Sequence, residues 1–494
     1  MAEVSSRDTV RFVLDDEIVE LGNVPPTMTV LEYLRDARGR TGTKEGCAEG
    51  DCGACTVVLG ELTDEGSRID YRAVNSCIRF LPTIDGKELV TVESLQPSRD
   101  SLHPVQQAMV DAHASQCGFC TPGFVMSLFG LYLNDPAPSR EDVVTALSGN
   151  LCRCTGYRPI IDTGCTMSSY PQPDKWSCDE AQSVARVTRL RNLQSGAALS
   201  YSGFAAPTSI DHLAEILEKQ PESLLLAGGT DVGLWVTKQL RDLPPIVYIG
   251  AVPELKEMRT VGPSVRIGAA VSLTDAWQLL TSLHPTLKEL ALRFASPPVC
   301  NAGTLCGNIA NGSPIGDSMP MLLALGAEIE LRRGARSRRL PLGDFYLGYQ
   351  RRDLQPGEFV VAAWIPLAPR DAHIASYKVS KRFDQDIAAV CAGFMVELEG
   401  DRVVSARLGF GGMAAVPARA KRAEAALLGK EWCAGTVEAA IAALTDDFQP
   451  LSDLRASKEY RLLAAGQLLR RFYRESVGDT TLSLRTLAPV GDRT

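Results

Sequence analysis

Histidine is scarce in this chain: there are five among 494 residues, scattered, and none pairs at a metal-ligand spacing. A histidine-built metal centre is therefore not expected. No apolar run approaches the ~18–20 residues that a membrane-spanning helix needs. The opening Met1-Ala-Glu-Val-Ser-Ser-Arg-Asp lacks an apolar signal-peptide core, so a cytoplasmic location is expected. Positive charge is not in excess either. The formal net charge is −8, which argues against a nucleic-acid partner. No internal repeat or low-complexity tract is visible. With 45% apolar and 22% charged residues, the composition is that of an ordinary globular protein. The length is too great for one core and suits three or four domains.

Cysteine is plentiful by contrast, with fourteen residues. Without a secretion signal, that number points to metal or redox use rather than disulfides. Eight of them form two groups. Cys47, Cys52 and Cys55 follow a C-x4-C-x2-C spacing, and Cys77 comes 22 residues later. This is the plant-type ferredoxin pattern for a [2Fe–2S] cluster. Cys117-x2-Cys120 and Cys152-x-Cys154 make the second group. The competing reading of each is structural zinc, which favours two C-x2–4-C knuckles. The first group instead wraps three thiols and several small residues around one point. The second is less diagnostic alone, but two one-electron centres on one chain make sense in series. Cys165, Cys178, Cys300, Cys306, Cys391 and Cys433 lie outside both groups and read as small packing residues or surface thiols.

The segments around these groups differ in kind. Residues 9–22 read as a hairpin about Asp15-Asp16, Thr29-x-x-Glu32 as a capping box opening a short helix over 30–38, and 56–62 as a strand. Residues 101–165 read as four helices, with the second cysteine group at their ends, where N-terminal N–H groups favour thiolates. Residues 166–200, rich in Ser, Pro, Asp and Arg, read as a linker. An α/β stretch follows, with a strand near 223–226. From about 376 come strands at 389–398 and 402–410, then helices near 417–428 and 455–475.

Two glycine-rich loops lie in the α/β stretch. Leu225-Leu-Ala-Gly-Gly-Thr-Asp-Val232 sits at a strand-to-helix junction, where bare backbone at Gly228 and Gly229 suits a pyrophosphate. The second spans residues 301–317 and is dense in small and amide side chains. Taken singly, either loop reads better as a structural turn. A third sequence, Gly409-x-Gly411-x-x-Ala414, fits a dinucleotide fingerprint literally but lacks the acidic residue and the βαβ context.

The order of these motifs resembles the molybdenum hydroxylases. The match rests on QCGFCTPG at 116–123, NLCRCTGYRPI at 150–160, LLLAGGTDVG from 224 and GTLCGNIANGSPIGD ending at 317. Within that family it is similar to the small, iron–sulfur/FAD subunit of the bacterial xanthine dehydrogenase branch. The resemblance implies a multidomain α+β fold. It would comprise a ferredoxin-like β-grasp domain (8–93), a four-helix [2Fe–2S] domain (94–165) and a linker (166–200). A two-part FAD-binding domain of the vanillyl-alcohol-oxidase type (201–375) and a C-terminal α+β flavoprotein domain (376–480) would follow. The chain stops before any molybdopterin region, so a separate large subunit is expected to carry that cofactor, in a dimer of heterodimers. Electrons would run from molybdenum to the cluster on Cys117, Cys120, Cys152 and Cys154. They would pass to the cluster on Cys47, Cys52, Cys55 and Cys77, then to FAD, then to NAD. Flavin is the converter from single electrons to hydride.

By the same resemblance Gln116 would hydrogen-bond the pterin. Leu225, Leu226, Ala227, Gly228, Gly229, Thr230, Asp231 and Val232 would line the FAD pyrophosphate. Thr304, Leu305, Cys306, Gly307 and Asn308 match the second flavin loop, with Asp317 beyond it. Phe294 would flank the isoalloxazine, Tyr349 the nicotinamide side, Lys378 the flavin, and Asp386 would tune reactivity toward NAD. Phe294 and Tyr349 read equally well as core aromatics. Cys306 replaces a frequent glycine and Phe383 an arginine. The implied activity is the oxidation of hypoxanthine through xanthine to urate. Two alternatives remain open: another hydroxylase of this family, acting on an aldehyde or N-heterocycle, and a stand-alone iron–sulfur or zinc protein. Substrate identity, and NAD against oxygen as acceptor, are not legible here.

Overall fold

The computed structural model describes residues 5–63, 66–96, 101–176, 180–194, 196–383 and 385–479. Cys178 lies outside these. The hairpin about Asp15-Asp16 forms, with Val10–Leu14 antiparallel to Glu17–Leu21. Both aspartates take positive φ, 53° and 68°, as a two-residue hairpin turn demands. These strands join Glu88–Val90, Thr56–Leu62 and Ile69–Asn75 in one five-stranded mixed sheet. The Thr29/Glu32 capping box closes in both directions, at 3.1 and 2.7 Å. The helix it opens differs from expectation: one α-turn, Val30–Glu32, continues as a π-turn, Tyr33–Ala37.

Four helices follow as expected: Pro104–Asp111, Thr121–Asn134, Arg140–Ala146 and Arg158–Thr166. They share a core with the outer face of the ferredoxin sheet through Val58, Tyr71 and Val90. The segment read as a linker carries a helix, Glu180–Leu193, whose Leu190 and Leu193 pack against Val13. Its apolar positions are sparse among arginines, which hid the periodicity.

The flavin-type region holds two sheets. One is a small, mostly parallel sheet that includes Leu224–Leu226, Ile246–Tyr248 and the N-terminal Ser6–Arg7. The other is an antiparallel sheet centred on Phe359–Pro366. Between and around them lies the largest core. The last unit is an antiparallel sheet, His373–Val379, Val390–Glu399, Arg402–Gly411 and Ala418–Arg419. It is covered by the helices Lys421–Leu427, Ala434–Asp447 and Lys458–Ser476. The alanine-rich middle helix has no strong apolar stripe and was not expected.

The Gly409/Gly411 sequence has a packing role. A Cβ at Gly409 would overlap the Pro320 carbonyl, and one at Gly411 would lie 3.2 Å from Pro320 Cγ. The bare backbone lets the helix Ser318–Ala324 lie directly on this sheet. Among the described residues, no helix is long and apolar enough to cross a membrane.

Candidate functional site

The loop between Arg38 and Thr56 carries three cysteines of the first group, and Cys77 follows the strand Ile69–Asn75. Cys47 and Cys52 are half-buried, while Cys55 and Cys77 are buried. The Cys47 thiol hydrogen-bonds those of Cys52 and Cys77, and Cys77 also reaches Cys55. Backbone N–H groups of Glu49, Asp51 and Cys52 donate to Cys47 Sγ at 3.5, 3.4 and 3.4 Å. Hydrogen bonds from Cys52 and Cys77, reinforced by these amides, hold the Cys47 thiol far below the usual range. Ala48, Gly50 and Gly53 adopt positive φ, and this aims successive amides inward. A Cβ at Gly46 would sit 2.8 Å from Cys52 Sγ.

The second group lies where two helices begin. Cys120 caps Thr121–Asn134, while Cys152 and Cys154 precede Arg158–Thr166. Cys120 pairs with Cys152, and Cys117 with Cys154. Burial opposes ionisation of Cys152, yet the Thr155 hydroxyl and backbone N–H groups pull its thiol down to about 7. This group is open: Cys117 and Cys154 are exposed, and so are Gln116, Phe119, Leu151 and Tyr157 around them.

Among the described residues, no three His, Cys, Asp or Glu side chains close on one point as a single metal ion requires. The thiols are linked in chains and pairs instead. Four thiolates with inward amides fit a two-iron core, which spreads its ligands over two metals.

The two groups touch. The N–H of Leu151, next to Cys152, donates to the Cys52 carbonyl at 3.0 Å. Asn150 Nδ2 donates to the Gly53 carbonyl at 3.1 Å, and Ser127 Oγ steadies Asn150 at 2.7 Å. Gly123 is bare where a Cβ would overlap the Gly53 carbonyl.

A cleft of ≈ 350 Å³ lies on the other side of the first group. Leu225, Ala227, Gly228, Gly229, Thr230, Asp231 and Val232 line it, with Thr304, Cys306, Gly307 and Asn308 opposite. A Cβ at Gly228 would overlap the Ala302 carbonyl, so the two loops meet only because that position is bare. Thr304 Oγ1 accepts from Gly307 N at 3.0 Å. Asn311 Nδ2 reaches Asp231 Oδ2 at 3.2 Å and ties the loops together. The concave, mostly apolar wall with bare backbone at Gly228 and Gly229 suits a dinucleotide. The cleft is bolted to the first cysteine loop. Thr237 Oγ1 donates to the Ala48 carbonyl at 2.7 Å, Lys238 pairs with Glu49 at 3.7 Å, and a Cβ at Gly233 would sit 2.7 Å from the carbonyl of Ile78, next to Cys77.

Not every expected residue lines the cleft. The side chains of Leu226 and Leu305 are buried in neighbouring cores, because their strand and helix turn those positions inward. Phe294, Asp317 and Lys378 form a separate buried knot. Lys378 Nζ pairs with Asp317 at 2.7 Å and donates to the Arg293 carbonyl at 2.8 Å. Phe294 leans on Trp277 with centroids 5.7 Å apart. Asp317 Oδ1 has no hydrogen-bond partner, and burial pushes its carboxyl up against the pull of Lys378. Asp386 accepts from Arg382 N at 2.8 Å. Tyr349 is 61% exposed and stands apart. Burial pushes the Cys306 thiol up to about 12, so it packs rather than reacts. Sequence reasoning missed Trp235, Asn311, Arg352, Leu354, Phe359 and Val360 on the cleft wall. Asn311 lies inside the second loop and Trp235 just beyond the first, while Arg352, Leu354, Phe359 and Val360 come from distant segments that no local pattern marks.

Four stretches of the chain match known protein families. Residues 12–81 match the 2Fe-2S iron-sulfur cluster binding domain, and 91–164 the [2Fe-2S] binding domain. Residues 199–368 match the FAD binding domain in molybdopterin dehydrogenase, and 375–476 the CO dehydrogenase flavoprotein C-terminal domain. The chain is 34% identical to the xanthine dehydrogenase of Emericella nidulans over 89% of its own length and 36% of that protein. It is 32% identical to xanthine dehydrogenase 2 of Arabidopsis thaliana, over 86% of itself and 36% of the relative. It thus spans about a third of the length of these curated relatives. Among solved structures, it is similar to a chain of carbon monoxide dehydrogenase from Hydrogenophaga pseudoflava, at 30% identity and a TM-score of 0.51, covering 54% of this chain and 94% of that one. A chain of quinoline 2-oxidoreductase from Pseudomonas putida 86 gives 26% identity and a TM-score of 0.50, over 56% of this chain and 97% of that one. Two [2Fe–2S]-binding domains and an FAD-binding domain are present.

Proposed function

This chain belongs to the molybdenum hydroxylase family, of which it carries the iron–sulfur and FAD domains, and on that premise we propose that it is the electron-transfer and NAD-reducing subunit of a bacterial-type xanthine dehydrogenase. Its partner would be a molybdopterin-containing large subunit, in a dimer of heterodimers in the cytoplasm. The domain limits we assign are 8–93, 94–165, 201–375 and 376–480, with a linker at 166–200. When bound, the clusters supply one-electron carriage and the flavin supplies conversion to hydride.

The residues act as holders and spacers. Cys117, Cys120, Cys152 and Cys154 grip the outer cluster, and Cys47, Cys52, Cys55 and Cys77 the inner one. Amides of Glu49, Asp51 and Cys52 offset the negative charge on sulfur. The flavin loops would hold the pyrophosphate at Gly228 and Gly229, with Asn311 tying them together. Gln116, exposed beside the second group, would meet a pterin on the partner. Phe294, Lys378, Asp317 and Asp386 are assigned to the ring end of the flavin, and Tyr349 to the nicotinamide side.

The observation that carries this reading is contiguity: Leu151 N–H meets Cys52 C=O, and Ile78 meets Gly233. Three sites thus abut in one order, from an exposed face to an interior cleft. The xanthine dehydrogenase relatives favour the purine substrate. A second reading, a hydroxylase of another substrate class, draws support from the likeness to carbon monoxide dehydrogenase and quinoline 2-oxidoreductase. The test is Cys152→Ser in the complete complex. Xanthine-driven NAD reduction should stop while NADH-to-dye activity persists; equal loss of both would refute the proposed order. Xanthine failing where quinoline or an aldehyde succeeds would select the second reading.

A further inference from the structure

A second cavity, ≈ 500 Å³, lies between the ferredoxin sheet and the flavin-binding unit, behind the wall made by Ala227 and Thr304. The cluster and flavin roles do not use it. Its lining is polar and unevenly charged, with five cations and three carboxylates. The carboxylates are already engaged. Asp70 and Asp275 both sit on Arg72, at 2.6 and 2.7 Å. Glu61 is clamped by Lys87 and Lys256 together, and burial notwithstanding, these two lysines hold its carboxyl far below the usual range. Positive charge is therefore left over.

Arg79 carries part of that surplus. It is only 7% exposed. Its guanidinium reaches Tyr248 Oη at 3.2 Å and the Thr83 carbonyl at 3.4 Å, but its Nε has no hydrogen-bond partner. A buried, unpaired guanidinium N–H is costly to leave unmade. The Tyr248 hydroxyl accepts from Arg79, and no acceptor for its own proton is found among the described residues. Gly250 is bare where a Cβ would overlap that hydroxyl, so the backbone makes room for it. Burial raises the Tyr248 pKa, yet Lys87 and Arg79 pull it below its ordinary value.

We propose that this cavity is a binding site for a small oxyanion of the phosphate class, seated on the Arg79 guanidinium and the Tyr248 hydroxyl and flanked by Lys87 and Lys256. A planar guanidinium and a phenol side by side on one cavity wall are a phosphate-type donor set. The lining comes from both the ferredoxin sheet and the flavin-binding unit, so an occupant bridges them and stiffens their contact.

The test uses the full chain with its cofactors retained, in phosphate-free buffer. Inorganic phosphate should raise the melting temperature saturably, while chloride at equal ionic strength should not. Tyr248→Phe, which removes one oxygen and should still fold, should weaken the phosphate response about tenfold, the worth of one charge-assisted bond. Arg79→Lys should weaken it at least as much. AMP is the second probe, with FAD retention followed by the visible spectrum. An effect of AMP at lower concentration than phosphate assigns the site to a nucleotide phosphate; an effect of phosphate alone assigns it to the free anion. Equal responses to phosphate and chloride, or an undiminished response in both variants, would overturn the proposal.

Discussion

Each cysteine group offers four thiols, in opposite settings. The first is enclosed. Cys55 and Cys77 are 1% and 3% exposed, three backbone amides point at Cys47, and the flavin cleft presses on one side. The second stands at the surface, with Cys117 and Cys154 open and Phe119 and Leu151 about half exposed beside them. Enclosure suits a relay whose neighbours are all within the chain, since fixed amides replace water around the charge. Exposure suits the end of a wire that must meet another molecule. Apolar side chains left open around a charged ligand set are the mark of a surface to be covered.

The sharpest way to break this comparison is to remove one thiol from each group. Cys77→Ser should lower iron from ~4 to ~2 per chain and also loosen the ferredoxin sheet, because its ligand sits inside the fold and metal binding there is folding energy. Cys117→Ser should remove the same amount of iron and leave the melting profile of the first domain in place. Iron analysis with calorimetry reads both; equal structural damage from the two would erase the distinction.

Acid should separate the two units next. His103 caps the helix Pro104–Asp111, its Nδ1 accepting from Val105 N at 3.2 Å. It stacks edgewise on Phe129 and Tyr132 at 5.1 and 5.0 Å. Burial lowers its pKa to about 4. The unfolded chain then binds the proton more readily, with a reference value near 6.5. The stabilisation is complete above about pH 6.5 and is lost as pH falls toward 4, by about 3 kcal/mol. The helical unit should thus loosen on mild acidification before the ferredoxin sheet does. Hydrogen exchange at pH 7 and pH 5, with His103→Asn as reference, checks the order. An unchanged pH slope in the variant would rule His103 out.

The smallest effect concerns the bolt between the inner group and the cleft. Thr237→Val keeps the shape and removes one hydrogen bond to the Ala48 carbonyl, which costs about 1 kcal/mol. Faster amide exchange in residues 46–54, with residues 117–154 unaffected, is the expected signature.

Much of this architecture was legible before any coordinates. The cysteine spacings carry their own geometry, the Thr29/Glu32 box is a local bond pattern, and the four helices between 101 and 165 announce themselves by caps and apolar stripes. The helix Glu180–Leu193 was hidden because its buried positions, Val187, Leu190 and Leu193, are diluted by arginines. The cleft was half legible. Its two loops are glycine-rich, but Trp235, Arg352, Leu354 and Val360 reach it only through folding. Leu226 and Leu305 lie in the right loops and face the wrong way, since a motif fixes backbone position and not side-chain direction.

Sequence alone determined which atoms can hold iron and where bare backbone is available, because ligand chemistry and glycine sterics are properties of short segments. Tertiary structure decided the rest. It buried one cysteine group and exposed the other, set Leu151 against Cys52 and Gly233 against Ile78, and left Arg79 inside a cavity with a donor unused. These are contacts between residues tens to hundreds of positions apart, and only the packing of whole domains sets such distances.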